Sequence, residues 1–211
     1  MVQHANDETG VSDAFTGAGL RVLDATNTLG RTRLPADWDV CIADARAWGS
    51  PAECAFVATR RRGLLSRVPA FRWRQAPPLP VIAVAVAELE REWSLLPLRA
   101  AEEEAAMTAM CEAVRALVPT ADMAPSDAPH LRSISVAGIE SLPLARALDQ
   151  RGFAVGAGSA CTPDGSASHV LEAMGRSTEG NLRLALPIGT DLAALARFPA
   201  ALADAVATLR G

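Results

Sequence analysis

Short apolar runs bounded by Gly, Pro or Asp open the chain: Leu20-Arg21-Val22-Leu23-Asp24, Asp39-Val40-Cys41-Ile42-Ala43 and Cys54-Ala55-Phe56-Val57-Ala58. Runs of that length and bounding predict buried strands, here a piece of an α/β sheet. The tract 66–80 holds Pro69, Pro77, Pro78 and Pro80, which excludes a regular helix or central strand and predicts a linker or wrapping loop. Helical composition follows over 81–93 and again over 98–117. Three consecutive glutamates stand near the start of the second stretch, where the helix dipole favours negative charge, and Pro119 and Pro125 end it. The last third alternates: strand 131–136, helix 141–150, strand 153–156, a Gly/Ser loop, helix 167–174, strand 181–186, helix 191–209. In the final helix Leu192, Leu195, Ala196, Pro199 and Leu202 recur at helical spacing, with Thr190 or Asp191 as N-cap. The pattern divides the chain into a sheet-bearing part with its proline-rich linker and helix, 1–96, and a compact α+β part, 97–211.

With 211 residues, half of them hydrophobic, the chain can bury a core. A formal charge of -4 argues against nucleic acid or an anionic membrane as partner, since either needs a net basic face. The triplet Arg60-Arg61-Arg62 reads as a solvated strand end. The apolar run 79–87 is too short to span a bilayer and no charged-then-apolar leader is present, so a cytoplasmic protein without membrane contact is expected. The four cysteines, 41, 54, 111 and 161, show neither CxxC spacing nor a His/Cys cluster, which predicts neither metal site nor disulfide framework. All 20 basic residues are arginine and none is lysine. A guanidinium is planar and permanently charged, so it cannot supply a Schiff-base amine.

One thiol stands apart. Gly156-Ala157-Gly158-Ser159-Ala160-Cys161-Thr162-Pro163 places Cys161 in a run of small residues directly after a strand, which leaves a sulfur unobstructed. Cys41, Cys54 and Cys111 lie on apolar strands or a helix and are expected as buried small hydrophobes.

Gly158-Ser159-Ala160-Cys161-Thr162, then Ser168-His169-Val170-Leu171 and Met174-Gly175, then Asn181-Leu182-Arg183-Leu184-Ala185-Leu186 together resemble the C-terminal motif series of cysteine desulfurases, pyridoxal-phosphate enzymes of the class V aminotransferase family. The resemblance implies an α/β fold: part of the large-domain sheet of a pyridoxal-phosphate transferase, followed by a small α+β C-terminal domain. It implies that Cys161 is the nucleophile that takes sulfur as a persulfide and that Arg183 holds the substrate carboxylate, a role suited to a two-pronged guanidinium. It makes His169, at the start of a helix, a packing residue.

Upstream, His4-Ala5-Asn6-Asp7-Glu8-Thr9-Gly10-Val11 resembles the family's His-x-Asn-Asn-Glu-x-Gly-Val, and Asp24-Ala25-Thr26-Asn27 its Asp-Ala-x-Gln. By that likeness Asp24, Asn27 and Asp7 are cofactor-binding positions: Asp24 keeps the carboxylate that pairs with the pyridine nitrogen, Asn27 is a shorter amide, and Asp7 stands where the family has asparagine. The family's Ser-x-His-Lys-x-Gly-Gly-Pro aligns on Asp44-Ala45-Arg46-Ala47-Trp48-Gly49-Ser50-Pro51. Ala47 occupies the lysine position, Arg46 the histidine, and Asp44 a serine that donates to the cofactor phosphate.

The expectation is a cysteine desulfurase-like protein, transferring sulfur from L-cysteine through a Cys161 persulfide, with pyridoxal phosphate as the family cofactor but impaired on its own. The alternatives are a cofactor-free persulfide relay fed by a persulfide donor, a non-catalytic pseudoenzyme partner of a complete homologue, or a decayed gene product. The earlier half of the family's large domain has no counterpart here, so a homodimer or a complex covering the sheet of residues 1–60 is expected.

Overall fold

The computed structural model describes residues 1–67, 77–160 and 166–211, and the chain forms two compact units. The first comprises Met1–Ala5 and Ser12–Arg99, the second Asn6–Val11 and Ala100–Gly211.

In the first unit a four-stranded sheet runs β1 (Val2–Gln3), β2 (Val22–Asp24), β3 (Val40–Asp44), β4 (Ala55–Thr59) in spatial order. The first three strands are parallel and β4 returns antiparallel to β3, pairing Ile42 with Val57. The three apolar runs of the sequence are β2 to β4, each trimmed or shifted by one or two residues. Leu23, Ala25 and Cys41 form the buried centre of this unit, with Phe15, Leu29, Leu34 and Trp38 packed around them. Past β4 the arginine triplet is exposed. Two of its members are engaged: Arg61 Nε donates to Asp39 at 2.9 Å and the Arg60 guanidinium lies 4.2 Å from the Trp38 ring centroid.

Between β3 and β4 the chain makes a tight 3-10 turn, Ala45–Trp48, capped by Asp44 and ended by Gly49 in the left-handed region, φ 75°. The turn drives Trp48 into the interior, where its Nε1–H donates to the Ala85 carbonyl at 2.8 Å. That carbonyl belongs to α1 (Leu79–Leu117). Two helices, 81–93 and 98–117, were expected from the sequence; α1 is continuous and carries Pro97 inside it. The Leu, Ala and Glu composition on both sides favours helix, and buried Glu92 pairs with Arg91 and with Arg99, two residues beyond the proline. Of the irregular tract expected over 66–80, residues 68–76 lie outside the described residues, and 79–80 already belong to α1.

The second unit is an antiparallel sheet, β5 (Ala121–Met123), β6 (Leu131–Val136), β8 (Leu182–Ala185) and β7 (Gly156–Ala157) in spatial order. It is accompanied by α2 (Ser141–Asp149), α3 (His169–Ala173), α4 (Leu192–Leu195) and α5 (Phe198–Arg210). All six residues of β6 are buried. Met107, Met110, Cys111 and Val114 of α1, Ile134, Leu144, Leu148, Leu182, Phe198 and Leu202 make one continuous core. Arg132, buried within β6, is satisfied by the Ala128 and Leu131 carbonyls at 2.6 and 2.8 Å and by both oxygens of Glu104 at 2.8 Å.

Two expected elements change here. Strand 153–156 is reduced to Gly156–Ala157, because Phe153 turns to pack edge-on against Phe198, ring centroids 5.5 Å apart, and a sheet-edge strand has only one neighbour to hold it in register. Helix 191–209 is two helices. α4 begins at the Asp191 cap, whose carboxylate accepts from Ala193 N at 2.9 Å. The chain then breaks at 196–197, and α5 restarts with Pro199 in its first turn, where a missing N–H costs nothing. The segment Leu192–Arg210 is long and apolar enough to cross a membrane by length and composition alone; in the structure Phe198, Leu202, Ala205 and Val206 belong to the core.

Candidate active site

The turn formed by Asn6–Val11 organises the second unit's site. Asn6 Oδ1 accepts from the backbone N–H of Glu8 at 2.9 Å and of Thr9 at 3.2 Å, and the Asn6 and Gly10 amides close the turn onto Val11 and Asn6 carbonyls. A short amide side chain accepting from its own backbone two residues on is the usual means of stabilising such a turn. Gly10 takes φ 79° and lies so close to Ser126 that a Cβ there would collide with the serine hydroxyl. The Asp127 N–H in turn donates to the Gly10 carbonyl at 3.1 Å. So anchored, the turn sends the Glu8 side chain inward, where the residue is 4% exposed.

Glu8 meets the two ends of the segment that carries Cys161. Ser159 Oγ donates to Glu8 Oε1 at 2.9 Å and the Ala160 N–H donates to the same oxygen at 2.7 Å. The Ser168 hydroxyl donates to Oε2 while accepting the Leu171 N–H at 3.1 Å as the N-cap of α3. Burial alone would raise the Glu8 pKa. The hydrogen bonds from Ser168, Ala160 and Ser159 and the positive charge of Arg183 outweigh it, so the carboxyl stays below its ordinary value of 4.5. Replacing Ser168 by alanine removes a helix cap and one of Glu8's donors. The expected cost is about 1–3 kcal/mol, read as a lower denaturation midpoint of the second unit.

Arg183 lies on β8, opposite Ser133 of β6 and Gly156 of β7. A Cβ on Gly156 would lie 2.8 Å from Arg183 Nη2, so glycine is what lets the guanidinium lie across the edge strand. Among the described residues its buried Nη1 has no hydrogen-bond partner, which makes it a donor suited to an anionic group. Beside it, Asn181 Nδ2 is spent on the Ser133 and Ser135 hydroxyls at 2.9 and 3.2 Å. Cys161 itself lies outside the described residues.

The remaining positions named from the sequence are placed as follows. Asp7 is in the turn just described, within the second unit, whereas Asp24 and Asn27 belong to the first. Asp24 ends β2 and accepts from Thr26 N at 3.1 Å and Thr26 Oγ1 at 2.7 Å. Asp44 is gripped by Arg46, through Nε at 3.0 Å to each oxygen and Nη2 at 2.6 Å, and accepts from Arg46 N at 2.9 Å. That side-chain hydrogen bonding from Arg46 holds the Asp44 carboxyl below its ordinary value. His4 Nδ1 sits 2.8 Å from Thr28 Oγ1, and burial lowers its pKa. Cys41, Cys54 and Cys111 are buried free thiols; burial, the largest cause, with Asp24 nearby, pushes Cys41 up to about 11. Among the described residues no group of His, Cys, Asp and Glu is placed to hold a metal ion.

These residues do not fit pyridoxal phosphate as a covalently held group. The chain has no lysine to hold the cofactor's aldehyde, and at the positions that the sequence likeness gives to that lysine and to a phosphate-donating serine stand Ala47, in the 3-10 turn, and Asp44, held by Arg46. Glu8, Ser159 and Ser168 were not singled out from the sequence, although all three stand inside the motifs that carried the resemblance; a buried glutamate in a conspicuous turn motif was the available signal.

The α/β architecture, a mixed sheet followed by an antiparallel sheet with helices, is that of part of a NifS-like, pyridoxal-phosphate transferase fold. A solved NifS-like protein superposes with a TM-score of 0.75 at 19% identity, over 90% of this chain and 53% of that one. A cysteine desulfurase from Thermococcus onnurineus, solved in its apo form, gives 0.74 at 16% identity over 98% and 59%. A NifS-like protein from Rickettsia africae gives 0.64 at 14% identity over 88% and 53%. The chain thus spans about half the length of the solved structures it matches. No protein-family model and no curated protein matches the sequence.

Proposed function

We propose that this chain is a cysteine desulfurase-like protein whose remaining chemistry is the carriage of sulfur on Cys161, received from a cysteine-derived persulfide. The observation that supports the reading is the Arg183 Nη1 donor, buried and without a hydrogen-bond partner among the described residues. It lies on the strand paired with β7, the strand that leads through Gly158 to Cys161. A guanidinium with one buried N–H donor unused among the described residues suits the carboxylate of an amino-acid-like donor, and the fold similarity supports the family assignment. The step needs no cofactor. The Cys161 thiolate attacks the terminal sulfur of the donor persulfide, a new S–S bond forms on Cys161, the donor's S–S bond breaks, and the donor departs as a thiolate. L-cysteine enters only through a complete desulfurase that makes the persulfide, and the chain works beside such a partner or as a homodimer in the cytoplasm.

The test is mass spectrometry after incubation with cysteine persulfide. Wild-type protein should gain one sulfur on Cys161, lost again on reduction, and Cys161→Ser should gain none there. Labelling spread over Cys41, Cys54 and Cys111 with Cys161 unmodified would overturn the proposal.

A further inference from the structure

Glu8 is a buried carboxylate that the sulfur chemistry does not use, and its three donors are not randomly placed. Ser159 and Ala160 immediately precede Cys161 in the chain, and Ser168 follows the same segment on its far side. A second tie runs between the two ends, from the Ser159 N–H to the Ser166 carbonyl at 2.9 Å. One oxygen of Glu8 holds the leading end and the other holds the trailing end, while the turn that presents Glu8 is itself locked by Asn6 and by Gly10 against Ser126. Burying a carboxylate is costly unless every lone pair that faces the interior is used. Here three donors and the Arg183 charge meet it.

We infer that Glu8 is a positioning residue that ties Ser159 and Ala160 to Ser168, the residues that flank the stretch of sequence carrying Cys161. Glutamate suits the task better than its neighbours in chemistry. A hydroxyl could satisfy one end, whereas a side chain of this length with two polar atoms at its tip meets both at once. Aspartate, one methylene shorter, cannot reach both. Sulfur transfer requires the attacking atom within bonding approach of the donor sulfur, and small misplacements of a reacting group cost large factors in rate, so loosening these flanks should slow transfer. The role in sulfur transfer rests on the function proposed above; the pinning itself does not.

Residue-resolved hydrogen exchange separates the two. In Glu8→Ala and in Glu8→Asp the Ser159 and Ala160 amides should exchange at least about tenfold faster than in wild type, while the Ile134 amide, in the centre of the sheet, keeps its protection. Glu8→Gln, whose carbonyl can still accept from Ser159 and the Ala160 N–H and whose amide can donate to the Ser168 hydroxyl, should restore protection to within about threefold. Persulfide transfer to Cys161 should fall about tenfold in Glu8→Ala and recover in Glu8→Gln. Should Glu8→Ala fail to fold, Glu8→Asp carries the test. Unchanged Ser159 and Ala160 exchange in the folded variants overturns the inference. If the exchange pattern holds and wild-type Cys161 still takes no sulfur, the pinning stands and the sulfur-carrier reading falls.

Discussion

Given pyridoxal phosphate and L-cysteine, this chain by itself should release sulfide at least about 10²–10⁴ times more slowly than a complete desulfurase, the usual penalty for losing one positioned general acid or base. No side chain here can hold the cofactor's aldehyde, because every basic residue is arginine. The deficit is also structural. Ala47, the position that the sequence likeness gives to the lysine, lies in a turn whose cap, Asp44, is committed to Arg46 by a two-pronged ion pair, and by the same likeness that carboxylate would stand in place of a serine that donates to the phosphate. Ala47→Lys alone should therefore leave the rate within about tenfold of the unaltered chain, since it supplies the amine and leaves the repulsion. Sulfide and alanine release, followed with the cofactor's visible absorption, provide the measurement. Brisk turnover by the unaltered chain would show that another group does the work assigned here to a lysine.

Trp48→Ala should destabilise the first unit by about 3–5 kcal/mol, the range for deleting a large buried aromatic. The ring is completely buried, tilted against Phe56 with centroids 5.6 Å apart, and fixed by its N–H to the Ala85 carbonyl. Its Cβ lies 2.9 Å from where a Cβ on Gly30 would stand, so the backbone is already in contact and has little room to collapse into the vacancy. Trp48→Phe separates the two contributions. It keeps most of the apolar volume but leaves the carbonyl without its side-chain donor, for an expected loss of about 1–2 kcal/mol beyond the volume change. Denaturant midpoints with an unchanged slope give the comparison. A loss below about 1 kcal/mol for the alanine variant would mean that the site collapses freely.

Local pattern carried far in the second unit. β6 and β8, the helix from Ser141, and the Asp191 cap follow from apolar runs and capping chemistry, because each is decided by residues close in sequence. Where packing outranks local preference, the reading from pattern failed. Pro97 did not end a helix whose flanks are joined through Glu92 and Arg99, Phe153 left its strand to meet Phe198, and the last helix broke ahead of Pro199.

The candidate site divides the same way. The supply of reactive groups is a property of the polymer: one thiol among small residues, an arginine in the strand motif, and no primary amine on any side chain. Which acceptor meets which donor is not. Glu8 reaches Ser159 and Ser168 across separations of 151 and 160 residues, and nothing in the spacing of these three residue types foretells it. The Arg183 guanidinium lies where it does with room given by Gly156 on the neighbouring strand, its Nη1 buried and unmatched among the described residues. Composition settles which bonds can be made at all; only the folded chain, by excluding water from some polar atoms and aligning others, decides which of them form.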